Sequence, residues 1–380
     1  MNIFTSVLTG DTKQITEVTR HYNNLLLMTD KNVSVLPAIQ TLINELKQTT
    51  NNIYIIDDLP AEPTDQDVIT LINKLPQNID MVLGIGGGSV LDISKLISVL
   101  YAEQGDKSKI DVFQSLLVGE KPSQRIALTL VPTTAGTGAE ATPNAIIALP
   151  AQATKVGIIS PIMLPDYVLL VPELTLSMPH HITSSTSIDA LCHLIECFTA
   201  SISNPIGDNY ALIGMQKFFT NIEEVIDQPN NLLVRLNLLW ASYYGGAAIS
   251  HAGTHLVHAL SYPLGGKYKI PHGLANSLLL VPCMKHICAH TSEKFAQVYD
   301  LLPSANLALS ETEKANQLVA YLENLVNKLQ LPIKLNDIGI DKSQIAELAK
   351  NAMEVKRLLN NSPVSVTEQE VFEIYNSICE

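Results

Sequence analysis

Short apolar runs alternate with helix-like stretches over about the first 175 residues of this 380-residue chain. The clearest strand-like runs are residues 25–29, 53–56, 81–85 and 126–131, and helix-like segments at 35–46, 67–75 and 90–101 follow the first three. This alternation is typical of a mainly parallel sheet that is covered by helices on both faces. We therefore predict a Rossmann-like α/β domain over residues 1–175.

The remainder of the chain has a different pattern. Strand-like runs become scarce, and helical patterns dominate at residues 183–200, 210–219, 232–247, 292–302, 312–329 and 344–359. Thr367 and Glu370 have the spacing of a capping box, which predicts a last helix ending at Ile378. We expect an all-α C-terminal domain over residues 176–380, and the length of the chain also favours two domains.

The composition excludes several classes of partner. The net charge is −13 and no Lys/Arg cluster is present, which argues against nucleic acid and anionic membranes as partners. No stretch reaches the length of apolar sequence that a membrane span needs. The five cysteines form no CxxC pair, and the N-terminal residues do not have the pattern of a signal peptide. We expect a soluble cytoplasmic protein with reduced thiols.

One segment, SIDALCHLIECF, has the spacing of a metal site. Asp189 and His193 are four residues apart, which places both side chains on one face of a helix. A carboxylate and imidazoles can hold a divalent transition metal and leave a position free for a substrate oxygen. His258 and His272 are further candidates, but His251 and His255 also have i, i+4 spacing. Composition and spacing do not choose among these histidines.

The strand-like run at 81–85 leads directly into GGGS and then into a helix. Glycines at such a turn let the backbone approach a phosphate, and the free amides at the helix start favour an anion, so Gly87, Gly88 and Ser89 are candidate cofactor residues. The alternatives are a tight turn without a ligand and a capping role for Ser89 with Asp92. Neither G-x-G-x-x-G nor G-x-x-x-x-G-K-[ST] is present.

Two further segments contribute polar groups at strand ends. Residues 132–138, PTTAGTG, present Thr133, Thr134 and Thr137 at the carboxyl edge of the predicted sheet, where ligands bind in open α/β folds. Asp30 ends the first clear strand, where it either accepts hydrogen bonds from both ribose hydroxyls or only forms a turn. In the first case its charge would repel a 2′-phosphate, so NAD would be preferred and NADP would be the alternative.

Taken together, these motifs resemble the iron-containing, or group III, alcohol dehydrogenase family, which has a dehydroquinate synthase-like fold. The segments TDK, PAEPT, GGGSVLDISK, PTTAGTGAEAT, SIDALCHLIE, HALSYPLGGKYKIPHG and SPVSVTEQEV occur in the order of that family and cover nearly the whole chain.

The resemblance implies a set of functional residues. The implied ligands of Fe(II), or sometimes Zn, are Asp189, His193, His258 and His272. His251 and His255 would then only support or pack against the ligands. The implied cofactor residues are Asp30 at the adenosine ribose, Lys155 near the nicotinamide ribose, and Gly87, Gly88, Ser89, Thr133, Thr134 and Thr137 along the pyrophosphate and nicotinamide. The resemblance also implies a homodimer or larger oligomer, paired through the N-terminal domain.

The sequence departs from the family pattern at three positions. Tyr262 stands where many members have a histidine that is offered as a proton relay, and the ordinary pKa of a tyrosine, about 10, is less suited to that role at neutral pH. Val171 replaces the aspartate of the usual DPEL, and Glu62 replaces an asparagine that often contacts adenosine. Some members with tyrosine at the position of Tyr262 act on hydroxy acids or phosphonate aldehydes.

We expect an NAD-dependent, metal-dependent alcohol dehydrogenase or aldehyde reductase with a small alcohol, diol or hydroxy acid as substrate. Tyr262 is the candidate catalytic residue for proton transfer, and the cleft between the two domains is the expected substrate site. The alternatives are a dehydroquinate synthase-type lyase that acts on a phosphorylated sugar and a protein that only binds nucleotide. Lys267 and Lys269 are compatible with an anionic substrate.

Overall fold

A computed structural model describes residues 5–103, 107–152 and 154–379. The described residues divide into two compact units. The first, which we call the α/β unit, comprises Met1–Thr134 and Gly138–Ser177. The second, the helical unit, comprises Ala135–Thr137 and Met178–Glu380.

The α/β unit contains a six-stranded parallel sheet. The strands in chain order are β1 (Ser6–Thr9), β2 (Asn24–Met28), β3 (Asn52–Ile56), β4 (Met81–Gly86), β5 (Ala127–Pro132), β6 (Asn144–Leu149), β7 (Thr154–Ile159) and β8 (Tyr167–Leu170). The sheet has the order β1-β8-β5-β4-β2-β3 with every neighbouring pair parallel, while β6 and β7 form a separate antiparallel pair. The predicted α/β class is confirmed, and the four predicted strands correspond to β2, β3, β4 and β5.

Helices cover both faces of this sheet. They are α1 (Thr12–Thr19), α2 (Lys31–Ser34), α3 (Pro37–Thr49), α4 (Asp65–Lys74), α5 (Gly88–Ala102) and α6 (Lys109–Leu117). Successive residues of a strand point to opposite faces. Accordingly, Leu26 and Met28 of β2 pack in one hydrophobic core with α4, α5 and α6, whereas Leu25 and Leu27 pack in the other with α1 and α3.

The polar Lys95 cluster, defined here as Lys95, Asp92 and Glu140, joins α5 to the segment after β5. Lys95 is completely buried, its Nζ lies 2.8 Å from Asp92 Oδ1, and it donates a hydrogen bond of 2.8 Å to the carbonyl oxygen of Ala139. The Lys95 ammonium also donates to the carbonyl oxygen of Asn144. Burial raises the pKa of Glu140 to about 7. The cluster therefore fixes the start of the β6–β7 pair against α5.

The helical unit consists of helices and short 3₁₀ turns. Its helices are α7 (His180–Thr199), α8 (Pro205–Asn221), α9 (Glu224–Asp227), α10 (Leu232–Ile249), α11 (Leu256–Tyr268), α12 (His272–Ile287), α13 (Ser292–Tyr299), α14 (Glu311–Lys328), α15 (Ile345–Met353), α16 (Lys356–Leu359) and α17 (Glu368–Asn376). The all-α prediction for this part of the chain is confirmed, and Thr367 and Glu370 form the predicted capping box of α17. Among the described residues, no helix combines the length and apolarity that crossing a membrane requires.

Two details of the helix prediction are wrong. The single helix expected at 344–359 is divided into α15 and α16, because Val355 takes a ψ of 48° and interrupts the helical backbone. Helices α11 and α12 were not predicted, since each contains an internal proline, Pro263 or Pro282, which normally ends or kinks a helix. These two helices carry His258 and His272.

Candidate metal centre

Helix α7 presents three titratable side chains on one buried face. Asp189, His193 and Glu196 are spaced at i, i+4 and i+7, so they follow one another along the same side of the helix. All three are buried, with Glu196 completely inaccessible. A buried face with this chemistry needs partners from other elements to compensate its polar groups.

The partners come from α11 and α12. One ligand atom each from Asp189, His193, His258 and His272 lies within 4.8 Å of the others. The Nε2 atoms of the three histidines are 3.8, 3.8 and 3.6 Å from Asp189 Oδ1, in the order His193, His258 and His272. Ligands at about 2.1 Å from a shared tetrahedral ion lie about 3.4 Å apart, so the geometry fits a transition metal ion.

Hydrogen bonds on the opposite ring nitrogens orient two of these imidazoles. His193 Nδ1 lies 3.2 Å from the carbonyl oxygen of Gly136, and His258 Nδ1 lies 2.5 Å from Glu196 Oε2. Because a carbonyl and a carboxylate only accept hydrogen bonds, each Nδ1 must carry the proton. The Nε2 lone pairs then face the cluster, which is the tautomer that a metal ligand needs.

Glu196 supports the cluster without belonging to it. Its Oε1 accepts a hydrogen bond of 2.5 Å from the backbone amide of Val257, at the start of α11, while Oε2 holds His258. Burial raises the pKa of Glu196, and His255 offsets part of that effect. The sequence motifs gave Glu196 no role, although its i+7 spacing from Asp189 was the available signal.

The electrostatics favour a neutral imidazole beside a charged carboxylate. Burial alone would raise the pKa of Asp189, but the nearby histidines and the Asn276 amide hold it below its usual value. Burial and the neighbouring His193 lower the pKa of His258 to about 3. An ionised Asp189 and a neutral His258 are the protonation states required of metal ligands.

Asn276 on α12 is a second residue that the sequence did not single out. Its Nδ2 donates to Asp189 Oδ1 at 2.7 Å and lies 3.3 and 3.2 Å from Nε2 of His258 and His272. Its buried Oδ1 has no hydrogen-bond partner within the ranges that the structure describes. The amide nitrogen, rather than the orphaned Oδ1, is therefore the Asn276 atom that faces the ligand atoms.

A close helix contact fixes the position of His272. A Cβ atom on the adjacent Gly273 would lie 2.6 Å from the carbonyl oxygen of Ser185 on α7, so only glycine permits this approach of α12. The His272 side chain is 33% exposed, whereas those of Asp189, His193 and His258 are at most 7% exposed. The cluster is therefore accessible from the His272 side.

The structure separates the candidate histidines. His255 is completely buried, and its Nε2 lies 2.9 Å from Thr199 Oγ1 rather than in the cluster. The ring of His251 packs against that of Tyr210 at a centroid distance of 5.7 Å. His258 and His272, not His251 and His255, lie with Asp189 and His193.

Tyr262 lies one helical turn after His258, and its ring centroid is 6.3 Å from that of His272. Burial raises the pKa of Tyr262, and the positive charge of Arg357, on α16, offsets part of that effect. Tyr262 thus lies on the accessible side of the cluster and is protonated at neutral pH. Arg357 was not noted in the sequence.

In the α/β unit, the glycine turn leads from β4 into α5. Gly87 is the N-cap of α5 and no side chain of the described residues caps this helix, so its first amides are suited to an anion. The capping role considered for Ser89 is wrong, because Ser89 lies inside the helix and its Oγ accepts a hydrogen bond of 3.0 Å from the Glu62 amide. Gly88 is the first residue of α5.

The threonine segment adjoins this turn. The amide of Thr133 donates to the carbonyl oxygen of Gly86 at 3.0 Å, and a Cβ atom on Gly87 would lie 3.6 Å from the Thr134 side chain. Thr133 and Thr134 therefore lie beside the start of α5. Thr137 belongs to the three-residue segment that is grouped with the helical unit.

Asp30 and Lys155 are both engaged with protein groups. Asp30 is the N-cap of α2, and its Oδ1 accepts hydrogen bonds from the amides of Asn32 and Val33 at 2.8 and 3.2 Å. Asp30 therefore forms the turn that was one of its two predicted roles. Lys155, on β7, forms an ion pair of 3.2 Å with Glu62.

Comparison with known proteins identifies the family. A model of iron-containing alcohol dehydrogenases matches residues 5–172, and a model of the C-terminal part of the Fe-containing alcohol dehydrogenase family matches residues 183–379. The chain is 30% identical to long-chain-alcohol dehydrogenase 1 of Geobacillus thermodenitrificans over 93% of this chain and 89% of that protein. It is also 30% identical to sulfoacetaldehyde reductase of Bilophila wadsworthia, over 78% and 76%.

The fold comparison agrees. The crystal structure of a 1,3-propanediol oxidoreductase superposes with a TM-score of 0.89 at 25% identity, covering 98% of this chain and 97% of that one. These matches do not favour the lyase alternative. The sequence motifs, the sheet order with its helical second unit, and both family models therefore agree that this chain belongs to the iron-containing alcohol dehydrogenase family.

Proposed function

We propose that this protein is a metal-dependent alcohol dehydrogenase that transfers hydride between NAD(H) and a small alcohol, diol or hydroxy acid, and reduces the aldehyde in reverse. The observation that carries the proposal is the convergence of one carboxylate and three imidazoles within 4.8 Å, with two Nδ1 atoms held by acceptors. A structural core has no need for four such groups with their lone pairs directed at one point.

The proposed metal ligands are Asp189, His193, His258 and His272. A bound Fe(II) or Zn(II) would supply a Lewis acid that polarises the substrate oxygen and lowers the pKa of an alcohol. The chain contributes a single negative charge and neutral nitrogens, and its exposed side at His272 admits the substrate. The general affinity order favours zinc over iron(II) for such ligands, so metal supply decides which is bound.

We propose that the α/β unit binds NAD. The uncapped start of α5 at Gly87, Gly88 and Ser89 would receive the pyrophosphate, because its free amides and dipole favour an anion. The proposed contacts along the rest of the cofactor are Thr133, Thr134, Thr137 and Lys155. When bound, NAD supplies the hydride acceptor.

Asp30 is the proposed determinant for NAD over NADP. Its Oδ1 is used by the start of α2, but a carboxylate has several acceptor sites and Oδ2 can accept a ribose hydroxyl. Its negative charge would oppose the 2′-phosphate of NADP.

Tyr262 is the proposed catalytic proton donor. It lies on the accessible side of the cluster, at 6.3 Å between its ring centroid and that of His272, and its hydroxyl carries a proton at neutral pH. In the direction of aldehyde reduction, this hydroxyl can donate a hydrogen bond to the substrate oxygen or to a water beside it.

The test is reduction of NAD at 340 nm by protein that has been purified without added metal and then loaded with zinc or iron(II). We expect turnover of at least one member of a panel of short alcohols, diols and hydroxy acids, and loss of turnover and of bound metal in His258→Ala and His272→Ala. Elemental analysis identifies the metal that copurifies.

His251→Ala is the matched control, because this histidine packs on Tyr210 outside the cluster. Its variant should keep the metal content and turnover of the unmodified protein. Binding of NAD without oxidation of any alcohol would contradict the proposal and favour a nucleotide-binding role. Phosphate release from a sugar phosphate would favour the lyase.

We also infer that the protein is a cytoplasmic homo-oligomer. All five cysteines are free thiols, which suits a reducing compartment. Strand β3 lies at one edge of the sheet with Tyr54 and Ile55 partly exposed, at 39% and 38%, and such an edge is suited to covering by another chain. Light scattering of the purified protein tests the assembly, and a monomer at micromolar concentration would contradict it.

A further inference from the structure

We propose that Glu62 lowers the affinity of the α/β unit for NAD(H), because its carboxylate competes with the cofactor pyrophosphate for Lys155. This inference rests on the proposed function, in which the start of α5 receives the pyrophosphate. It goes beyond that function by giving a role to an acidic residue that opposes cofactor binding. A lower affinity lets the reduced cofactor leave the site, a step that limits turnover in many enzymes.

Glu62 belongs to the loop between β3 and α4, and this loop contacts the start of α5. The backbone amide of Glu62 donates a hydrogen bond of 3.0 Å to Ser89 Oγ, in the first turn of α5. Glu62 has a φ of 52°, in the left-handed region that a glutamate rarely adopts. Such a backbone persists only where its neighbours hold it, and here it keeps Glu62 beside the amides that are proposed to bind an anion.

The β6–β7 pair brings Lys155 to the same loop. The amide of Ala148 on β6 donates to the carbonyl oxygen of Pro63 at 3.0 Å, and Lys155 on β7 is the strand partner of Ala148. The same strand is held to α5, because the amide of Ile146 donates to Asp92 Oδ2 at 3.0 Å. Lys155 therefore has a fixed position beside the loop, and all these residues belong to the α/β unit.

The Lys155 ammonium is paired with the Glu62 carboxylate. Lys155 Nζ lies 3.2 Å from Glu62 Oε1, and the two side chains are 26% and 39% exposed, so a dissolved anion can reach the pair. An ammonium is a suitable partner for a phosphate, but an ammonium that already holds a carboxylate attracts a second anion less strongly. The loop sequence at 57–64, DDLPAEPT, contains three acidic residues and no lysine or arginine, so the loop itself does not compensate the charge of Glu62.

A pyrophosphate at the start of α5 would bring two negative charges close to this ion pair. Lys155 would then be shared between the Glu62 carboxylate and the phosphate oxygens, and the carboxylate would repel the phosphate. Because both side chains are partly exposed, water and salt screen these interactions. Glu62 therefore weakens cofactor binding without preventing it.

The test is titration of NADH, followed by its fluorescence, into the unmodified protein and into Glu62→Gln, with circular dichroism to show that the variant is folded. We expect the dissociation constant to fall about 5- to 20-fold in Glu62→Gln at low salt, because the ammonium becomes free for a charge-assisted hydrogen bond. This gain should shrink at about 0.5 M NaCl, where contacts between exposed charges are screened. ADP-ribose, which contains the pyrophosphate, should show the same gain, whereas adenosine in competition with NADH should show none.

Glu120→Gln is the matched control, because Glu120 forms another exposed ion pair in the same unit, with Lys107 at 3.9 Å. This substitution removes the same charge in the segment after α6, and it should leave the dissociation constant of NADH within about twofold of the unmodified protein. Combining Glu62→Gln with Lys155→Met should return the dissociation constant to within about threefold of the unmodified protein, because the gain requires a free ammonium.

Tighter binding of NADH by Glu62→Gln, in a protein that oxidises no alcohol, would refute the proposed dehydrogenase function and leave this inference standing. Alcohol oxidation with equal NADH affinity in both proteins would overturn the inference alone. A gain that persists without Lys155, that is equal for adenosine, or that Glu120→Gln reproduces would also overturn it. If NADH binds to neither the unmodified protein nor Glu62→Gln, both the inference and the proposed function fail.

Discussion

The substitution Glu196→Gln tests whether a buried carboxylate on α7 fixes the tautomer of His258. In the unmodified protein the two carboxylate oxygens accept from His258 Nδ1 and from the Val257 amide, both at 2.5 Å. A glutamine of the same shape offers only one acceptor oxygen, and its amide group must face one of the two donors.

Both orientations of that glutamine weaken the metal site. If the amide nitrogen faces His258, it donates to Nδ1 and places the imidazole proton on Nε2, where the metal would bind. If it faces Val257, a buried backbone amide at the start of α11 loses its acceptor. Loss of such a supporting partner lowers metal affinity about 10- to 100-fold, which is about 1.4 to 2.7 kcal/mol at 25 °C.

The assay is competition for zinc against a chromogenic chelator at neutral pH, with circular dichroism to show that the variant is folded. Glu323→Gln is the control, since this side chain is exposed and pairs only with Lys285 among the contacts described for it. Zinc affinity of the folded Glu196→Gln variant within twofold of the unmodified protein would refute the tautomer reasoning.

Three further predictions concern the rest of the chain. Lys95→Met should lower the free energy of unfolding by about 3 to 5 kcal/mol, because it leaves Asp92 buried and unpaired, and adding Asp92→Asn should recover part of this loss in chemical unfolding. The pKa of Glu140 is raised from 4.5 to about 7 in the folded protein, so between these two pH values the folded state binds more protons than the unfolded state, and the free energy of unfolding falls as pH rises. Glu140→Gln removes this titration and should lessen the fall in melting temperature between about pH 5 and about pH 8. Gly273→Ala should force α12 away from α7, reduce zinc affinity and cost about 1 to 3 kcal/mol of stability. Gly266→Ala should do neither in the same assays, because outside its own helix backbone and chain neighbours no described atom lies within 4 Å of the added Cβ.

The sequence by itself determined the features that depend on local geometry. The alternation of apolar runs and helices predicted the parallel sheet, since strand and helix periodicities are written in neighbouring residues. The spacing of Asp189 and His193 predicted that both would lie on one face of a helix, and Thr367 with Glu370 predicted the start of α17. The motifs together also predicted the family, which the comparisons confirm.

Residue spacing left open which histidines meet, and although the family motifs implied His258 and His272, only the tertiary structure shows them together and shows what holds them. His258 and His272 lie on two helices with internal prolines, whose formation depends on packing rather than on local preference. Glu196 contacts His258 across 62 positions of the chain, and α16, which the sequence pattern merged with α15, packs against α11. Spacing along one helix is fixed by its repeat, whereas contact between helices depends on how closely their backbones approach, and here that approach depends on Gly273.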